Sequence, residues 1–424
     1  MNNIDVLSTL FVGIDVSSTE NVVCAIDFNS NNFLKTSVLN SHAGAIQLTN
    51  TLFSILESSD FSTVIIALES TSYYGIHIAN FLSADLNLLK YNVLVFCINP
   101  VMVANYKKSF IGLGKNDTID AYVIADFARV GRITTSPWRG SQFLALQRLT
   151  RHRLHLSFSI TREKNYVMNN IFLKFSEFAT LKGDEHPFSN KFGATAMSVI
   201  TDFLSNEDII NVNFEELVSI ITKVSKKQIT KPEEVASILK KAARDSYKLD
   251  KCLYEPLNIA IASSFSCLET YEREIKTVNK AIEKTVRGLN PSEYQCLLSI
   301  PGIGPVFAAG ILAEIGSIKS FDNHNAVAKY AGLIWNKKQS GHYESDNSHM
   351  SKAGNSYLRY YLLEAANSVR RHVPEYKNFY EKKFNEVTTH QHKRSLALTS
   401  RKLIRLIFGL LDKNQLYTSE KVDA

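Results

Sequence analysis

Four carboxylates in the first third of the chain have the residue type and placement to bind a divalent metal. They are Asp15 in FVGIDVSSTENVVCAIDF (11–28), Glu69 in VIIALEST (64–71), and Asp117 and Asp120 in GKNDTIDAYVIADFARV (114–130). Asp15 and Glu69 end apolar runs, where an ionised carboxylate is costly unless a cation compensates it. Asp117 and Asp120 are three residues apart at the start of an expected helix, so they lie on one helical face. Asn116 or Asp117 is placed to cap that helix. Taken singly, Asp15 is a turn starter and Asp117 a helix cap. Taken together, the four are hard oxygen ligands of the kind that hold Mg²⁺, and the set reads as a metal site for phosphoryl transfer. Asp126, six residues beyond Asp120, is expected to lie off the site.

The elements that must position these acids are legible from the apolar pattern. FVGIDV (11–16), VVCAIDF (22–28) and FLKTSVL (33–39) read as three strands in a meander. A helix over about 43–57 leads to the strand TVIIALE (63–69), and a second helix leads to the strand NVLVFCI (92–98), which Asn99–Pro100 breaks. A meander followed by strand and helix in alternation predicts a mixed α/β sheet with helices packed on it, in the RNase-H-like order. That order sets the first and fourth strands, and so Asp15 and Glu69, side by side. Ile119, Val123 and Ile124 form the apolar side of the Asp117–Asp120 helix and should face the sheet.

The chain has 424 residues, enough for two or three cores, and 45% hydrophobic with 21% charged residues is ordinary globular composition. No apolar run of membrane-spanning length and no signal-peptide pattern is present, so a cytoplasmic protein without membrane contact is expected. Five scattered cysteines without CxxC spacing argue against a disulfide framework or zinc site. The net charge of +7 is unevenly spread. Residues 1–104 hold 2 Lys/Arg against 8 Asp/Glu, whereas 105–174 and 351–405 each hold 12 against 4. Two basic blocks point to a polyanion such as nucleic acid, with Lys115, Arg148, Arg151, Lys352 and Arg359 as candidate phosphate contacts.

From 141 to 287 the chain is expected to be helical. LALQRLTRHRLHLSFSITREKNYVMNNIFLKF (144–175) is one long helix, with Leu144, Leu149, Leu156 and Ile160 on its seam and Arg148, Arg151, Arg153 and Arg162 on exposed faces. A second long helix covers about 250–287. Two such helices around an irregular insert suggest either an antiparallel coiled-coil-like arm for dimerisation or a plain helical bundle. Further on, YQCLLSIPGIGPVFAAGILAEIG (294–316) has the form of a helix-hairpin-helix, in which Gly302 and Gly304 offer backbone N–H groups to a phosphate. A polar loop rich in Ser, Asn, Gly and His then precedes a helix carrying Leu358, Leu362, Leu363 and Ala366.

As a whole the sequence resembles the DEDD-type transposases of bacterial insertion sequences, the bridge-RNA-guided recombinases. The resemblance runs through GIDVSS, ALEST, KNDTIDA, IPGIGPVFAAGILAEIG and YAGLIWNKKQSG…SKAGNSYLR. It implies a RuvC-like, RNase-H-like catalytic domain (1–140), a helical coiled-coil linker and dimerisation region (141–287), a mostly α C-terminal transposase domain (288–412) and a tail (413–424). It further implies that Asp15, Glu69, Asp117 and Asp120 bind Mg²⁺ and that a serine of the C-terminal domain attacks DNA. The matching serine is Ser340 of Gln339-Ser340-Gly341, with Ser345, Ser348 and Ser351 nearby. Lys337, Lys338 and Arg359 would neutralise the phosphate, and His342 is a candidate for proton transfer. The partners implied are element-end and target DNA, a bridge RNA, and further copies of the chain in a homodimer or homotetramer with composite sites. Where the family has a basic, Gly-rich stretch after QSG, this chain has HYESDNSHM with Glu344 and Asp346. Competing readings are a Holliday-junction-resolvase-type nuclease using water and a non-catalytic nucleic-acid-binding protein. A sugar-kinase-like ATPase, suggested by GIDVSSTE, would need a second glycine-rich nucleotide motif and a duplicated domain, and neither is present.

Overall fold

The computed structural model describes residues 4–69, 73–110, 116–133, 137–289, 291–335, 339–340, 343–344 and 350–418. The chain divides into two compact units, one formed by 1–148 together with 285–424 and the other by 149–284.

The first unit opens with β1 (Thr9–Val16), β2 (Glu20–Ile26) and β3 (Asn32–Leu39). There follow α1 (His42–Glu57), β4 (Thr63–Glu69), α2 (Gly75–Ala84), β5 (Asn92–Ile98), α3 (Pro100–Lys107) and α4 (Asp117–Arg129). The strands form one mixed sheet in the order β3-β2-β1-β4-β5, with β1, β2 and β3 antiparallel and β4 and β5 parallel to β1. This is the order expected from the sequence. β4 and β5 start and stop at the residues read from the apolar runs, because both are buried on two faces and flanked by polar residues. Asn99–Pro100 does more than end β5. The Asn99 side chain accepts from the Val101 N–H and Pro100 occupies the first turn, so the pair starts α3.

Alternation along β1 assigns its two faces. Leu10, Val12, Ile14 and Val16 pack with α1 and α2, together with Val64, Ile66 and Leu68 of β4. Phe11 packs on the other face with Ile65, Ala67 and the Val123, Ile124 and Phe127 side of α4, and Ile119 packs at the edge of that cluster. Asp15 and Glu69 continue the odd-numbered series and therefore fall on the α4 face.

α5 (Ser141–Lys174) runs from the first unit into the second. The second unit holds α6 (Ser176–Thr180), α7 (Ala194–Asp202), α8 (Asn206–Asn211), α9 (Phe214–Val224), α10 (Pro232–Asp245) and most of α11 (Lys251–Leu289). Within it, α5 and α11 run antiparallel. Arg153 meets Asn279, Lys164 meets Glu272 and Lys174 meets Asn258, so partners descend along one helix as they climb the other. Of the arginines expected on exposed faces of α5, only Arg162 is exposed, whereas Arg148, Arg151 and Arg153 are half-buried. The Arg153 Nε donates to Asn279 Oδ1 at 2.9 Å, because its turn of α5 faces α11. The core is built by Val167 and Ile171 of α5, Ile261, Phe265 and Leu268 of α11, and apolar residues of the short helices between them.

The chain returns to the first unit with α12 (Pro291–Leu298), α13 (Pro305–Ile315) and α14 (His324–Tyr330). It closes with α15 (Ser356–His372), α16 (Pro374–Asn385) and α17 (Gln391–Lys413). α13 is buried along most of its length, and Tyr361 of α15 lies on it at Gly310, where a Cβ would come within 2.4 Å of the tyrosine ring. Among the described residues no helix is long and apolar enough to cross a membrane.

Candidate active site

Gly13 places the acids. A Cβ there would lie 2.1 Å from the Ala121 carbonyl oxygen and 2.3 Å from the Ala125 nitrogen, so α4 rests directly on the β1 backbone. α4 begins with Asn116 as its cap, whose side chain accepts from the Thr118 N–H at 3.1 Å. That start sets Asp117 and Asp120 in the first turn, above the C-terminal end of β1. The carboxylate oxygens of Asp15, Asp117 and Asp120 lie within 4.8 Å of one another. Glu69 stands at the end of β4, one step past the last β1–β4 pair, Ile14 with Leu68, on the same face of the sheet. It is not a member of the three-carboxylate group.

The electrostatics of the group favour a cation. Burial pushes the Asp15 carboxyl above its usual range, and the charges of Asp120 and Asp117 add to that rise. Lys107, at the end of α3, forms an ion pair with Asp120. One half-buried ammonium against three carboxylates leaves negative charge over, and three converging oxygens suit a hard divalent ion. The donor set thus fits a metal of the Mg²⁺ class. Asp126 lies off the group, as expected. It is buried and accepts from Tyr106 Oη at 2.6 Å and from Arg129 Nε at 2.8 Å.

The segment bearing Ser340 stands on a neck in the C-terminal part. β6 (Gln339–Ser340) and β7 (Tyr343–Glu344) pair antiparallel, with Ser340 opposite Tyr343. Below them Trp335 bridges Met350. The Ser351 N–H then donates to the Ile334 carbonyl at 2.8 Å, Lys352 N–H to Gly332 at 3.2 Å, and Asn355 N–H to Tyr330 at 2.7 Å. Gly332 (φ +68°) and Gly354 (φ +141°) allow this closure. A Cβ at Gly354 would sit 2.3 Å from the Tyr330 carbonyl oxygen.

The other expected contacts are placed as follows. Arg359 Nη1 donates to the carbonyls of Ala331 at 3.0 Å and Lys352 at 2.9 Å, so it clamps the neck. Lys352 is exposed with φ +53°. The Arg148 guanidinium lies 4.0 Å over the Tyr73 ring, and Arg151 lies half-buried on α5. Gly302 (φ +96°) is pressed on α15, where a Cβ would be 2.9 Å from Val369 Cα, whereas a Cβ at Gly304 would meet open space. Lys115, Lys337, Lys338, His342, Ser345 and Ser348 lie outside the described residues. Sequence reasoning missed Lys107 and the seat that Gly13 makes for α4.

Two family models match the chain. One for DEDD-type IS110 transposases, described as "Transposase", covers residues 12–173, and one described as "Transposase IS116/IS110/IS902 family" covers 294–381. The chain is 22% identical over 417 residues to the "Insertion element IS116 uncharacterized 44.8 kDa protein" of Streptomyces clavuligerus, spanning 96% of each. It is 26% identical over 193 residues to the "Transposase for insertion sequence element IS1111A" of Coxiella burnetii, spanning 40% of this chain and 50% of that one. A solved structure titled "T. thermophilus RuvC in complex with Holliday junction substrate" aligns at 16% identity and a TM-score of 0.23, covering 31% of this chain and 99% of that one. The chain belongs to the DEDD-type IS110 family of insertion-sequence transposases.

Proposed function

We propose that the protein is a DNA recombinase that moves an insertion sequence by Mg²⁺-dependent strand cleavage and rejoining through a covalent phosphoserine. The observation that carries this reading is the convergence of Asp15, Asp117 and Asp120 within 4.8 Å in a chain of the transposase family. These acids, with Glu69 at the neighbouring strand end, would hold the metal, which supplies charge stabilisation at a phosphoryl centre. Ser340 Oγ attacks the scissile phosphorus, the bond from phosphorus to the 3′ oxygen breaks, and the 3′ oxygen leaves as a hydroxyl with a proton gained. The phosphoserine keeps the energy of the broken linkage. A 3′ hydroxyl attacking it restores the diester and frees Ser340 without ATP.

The basic blocks support nucleic-acid partners, with Arg148, Arg151, Lys352 and the α13 start at Gly304 as phosphate contacts. A bridge RNA pairing with element-end and target DNA would carry the sequence specificity, and a homodimer or homotetramer would join the acids of one copy to the serine of another. The domain division into 1–140, 141–287 and 288–412 belongs to the same reading. The test incubates the full chain with element-end DNA, the flanking transcript and Mg²⁺, then seeks a denaturant-resistant protein–DNA adduct. The expected result is an adduct lost in both Ser340→Ala and Asp15→Asn. Cleavage that persists in Ser340→Ala would refute the serine mechanism in favour of a water-using nuclease. Full activity in Asp15→Asn would refute catalysis at the acids.

A further inference from the structure

We infer that Glu314 is a positioning residue that seats the Ser340 hairpin through Asn355, an inference that rests on Ser340 being the nucleophile. Glu314 is 4% exposed and is the one charged residue of α13, whose sequence PVFAAGILAEI is otherwise apolar. An apolar residue would fill such a place at no desolvation cost, so a carboxyl there has to be matched by its hydrogen bonds. Asn355 Nδ2 donates to Glu314 Oε2 at 2.8 Å, and Gln147 Nε2 of α5 donates to the same oxygen at 3.4 Å.

Asn355 is the junction at the foot of the hairpin. Its Oδ1 caps α15, accepting from the N–H groups of Tyr357 and Leu358 at 3.0 Å each. Its own N–H donates to the Tyr330 carbonyl at 2.7 Å, and its Nδ2 also donates to Tyr330 Oη at 3.3 Å. One residue therefore joins the end of α14, which leads toward the hairpin, to α13 and to α15, which follows it. Its amide has two donors and one double acceptor, and all of them are used. The cap sets which way that amide faces, and Glu314 ties its donor side to α13. Without it the cap survives, but the foot of the hairpin is free to turn about the neck, and the nucleophile is displaced from its phosphate. Displacements of this kind cost rate and leave ground-state binding largely intact.

The discriminating variants are Glu314→Ala, Glu314→Gln and Asn355→Asp. Gln keeps an acceptor oxygen for Asn355. Asp keeps the helix cap and sets an acceptor against Glu314 where a donor stood. Single-turnover adduct formation, DNA affinity and hydrogen exchange at the amides of Ser351, Lys352 and Asn355 are measured on the full chain beside Ser340→Ala. Glu314→Ala and Asn355→Asp are expected to slow adduct formation by roughly tenfold to a hundredfold, as loss of one charge-assisted hydrogen bond does. They should also speed exchange at the neck while DNA affinity holds, and Glu314→Gln should restore the rate. Wild-type rates in Glu314→Ala or in Asn355→Asp would overturn the inference, as would a Gln variant as slow as Ala, or rate and DNA affinity lost together. If Ser340→Ala still forms the adduct, the serine reading itself falls and takes the inference with it. If only Glu314→Ala is normal, the serine reading stands and the inference alone fails.

Discussion

Replacing Asp15 by Asn should stabilise the metal-free protein at neutral pH while removing its response to metal. Asp15, Asp117 and Asp120 converge within 4.8 Å. At that separation two unit charges repel by roughly 1 kcal/mol in water and about 3.5 kcal/mol at the dielectric of a protein surface. Asp117 is exposed and Asp120 is paired with Lys107, so the lower figure is the better guide. The gain for Asp15→Asn at pH 7.5 in EDTA is then about 1–2 kcal/mol, or roughly 2–4 °C in Tm. The Asp15 carboxyl is held above its ordinary value of 3.8, so the folded state binds this proton more tightly than the unfolded one. Its contribution to stability is therefore full below that ordinary value and is lost as pH rises through the folded value. The advantage of Asn should accordingly vanish near pH 3.5 (about the ordinary carboxyl range) and be complete at neutrality. Saturating Mg²⁺ or Mn²⁺ should reverse the order, since an ion at a hundred times its Kd adds about 2.7 kcal/mol to the wild type alone. Thermal unfolding across pH, with and without metal, reads all of this. A metal-free Asp15→Asn protein less stable than wild type at pH 7.5, or a wild-type metal response in the variant, would refute the argument.

Two further expectations follow from single contacts. Gly13→Val would drive side-chain atoms into the α4 backbone at Ala121 and Ala125, so α4 must lift. Urea unfolding should show a loss of about 3 kcal/mol, the upper range for overpacking, and metal titration should show weakened binding as Asp117 and Asp120 move from Asp15. In the second unit, burial lowers the Lys174 ammonium from 10.5 to about 8, although it donates to the carbonyls of Ile200 and Phe203 and to Asn258. Between those values the unfolded chain holds the proton and the folded one releases it, so stability should rise with pH across that window. Lys174→Met should flatten that slope in denaturant titrations at successive pH values.

The parts of the fold that could be read from sequence are those set by local pattern. β4 and β5 were bounded by where apolar runs met polar residues, and α4 by Asn116 and the acids of its first turn. What eluded reading depends on partners remote in sequence. Gly13 looks like any strand glycine until α4, more than a hundred residues later, lies against it. Arg153 reads as a surface arginine because periodicity does not say which face of α5 meets α11. Glu314 reads as an odd acid in an apolar helix until Asn355 and Gln147 converge on it from opposite directions in sequence. The two halves of the proposed site differ in the same way. The acids sit on a sheet and helix whose order the apolar pattern dictates. Ser340 rides on a hairpin whose two strands are joined below by Gly332, Gly354 and Arg359, none of which carries an apolar signal. The placement of the three carboxylates is thus a property of the core. The placement of the segment bearing Ser340 is a property of a few polar contacts, so it can be changed by substitution with the core left in place.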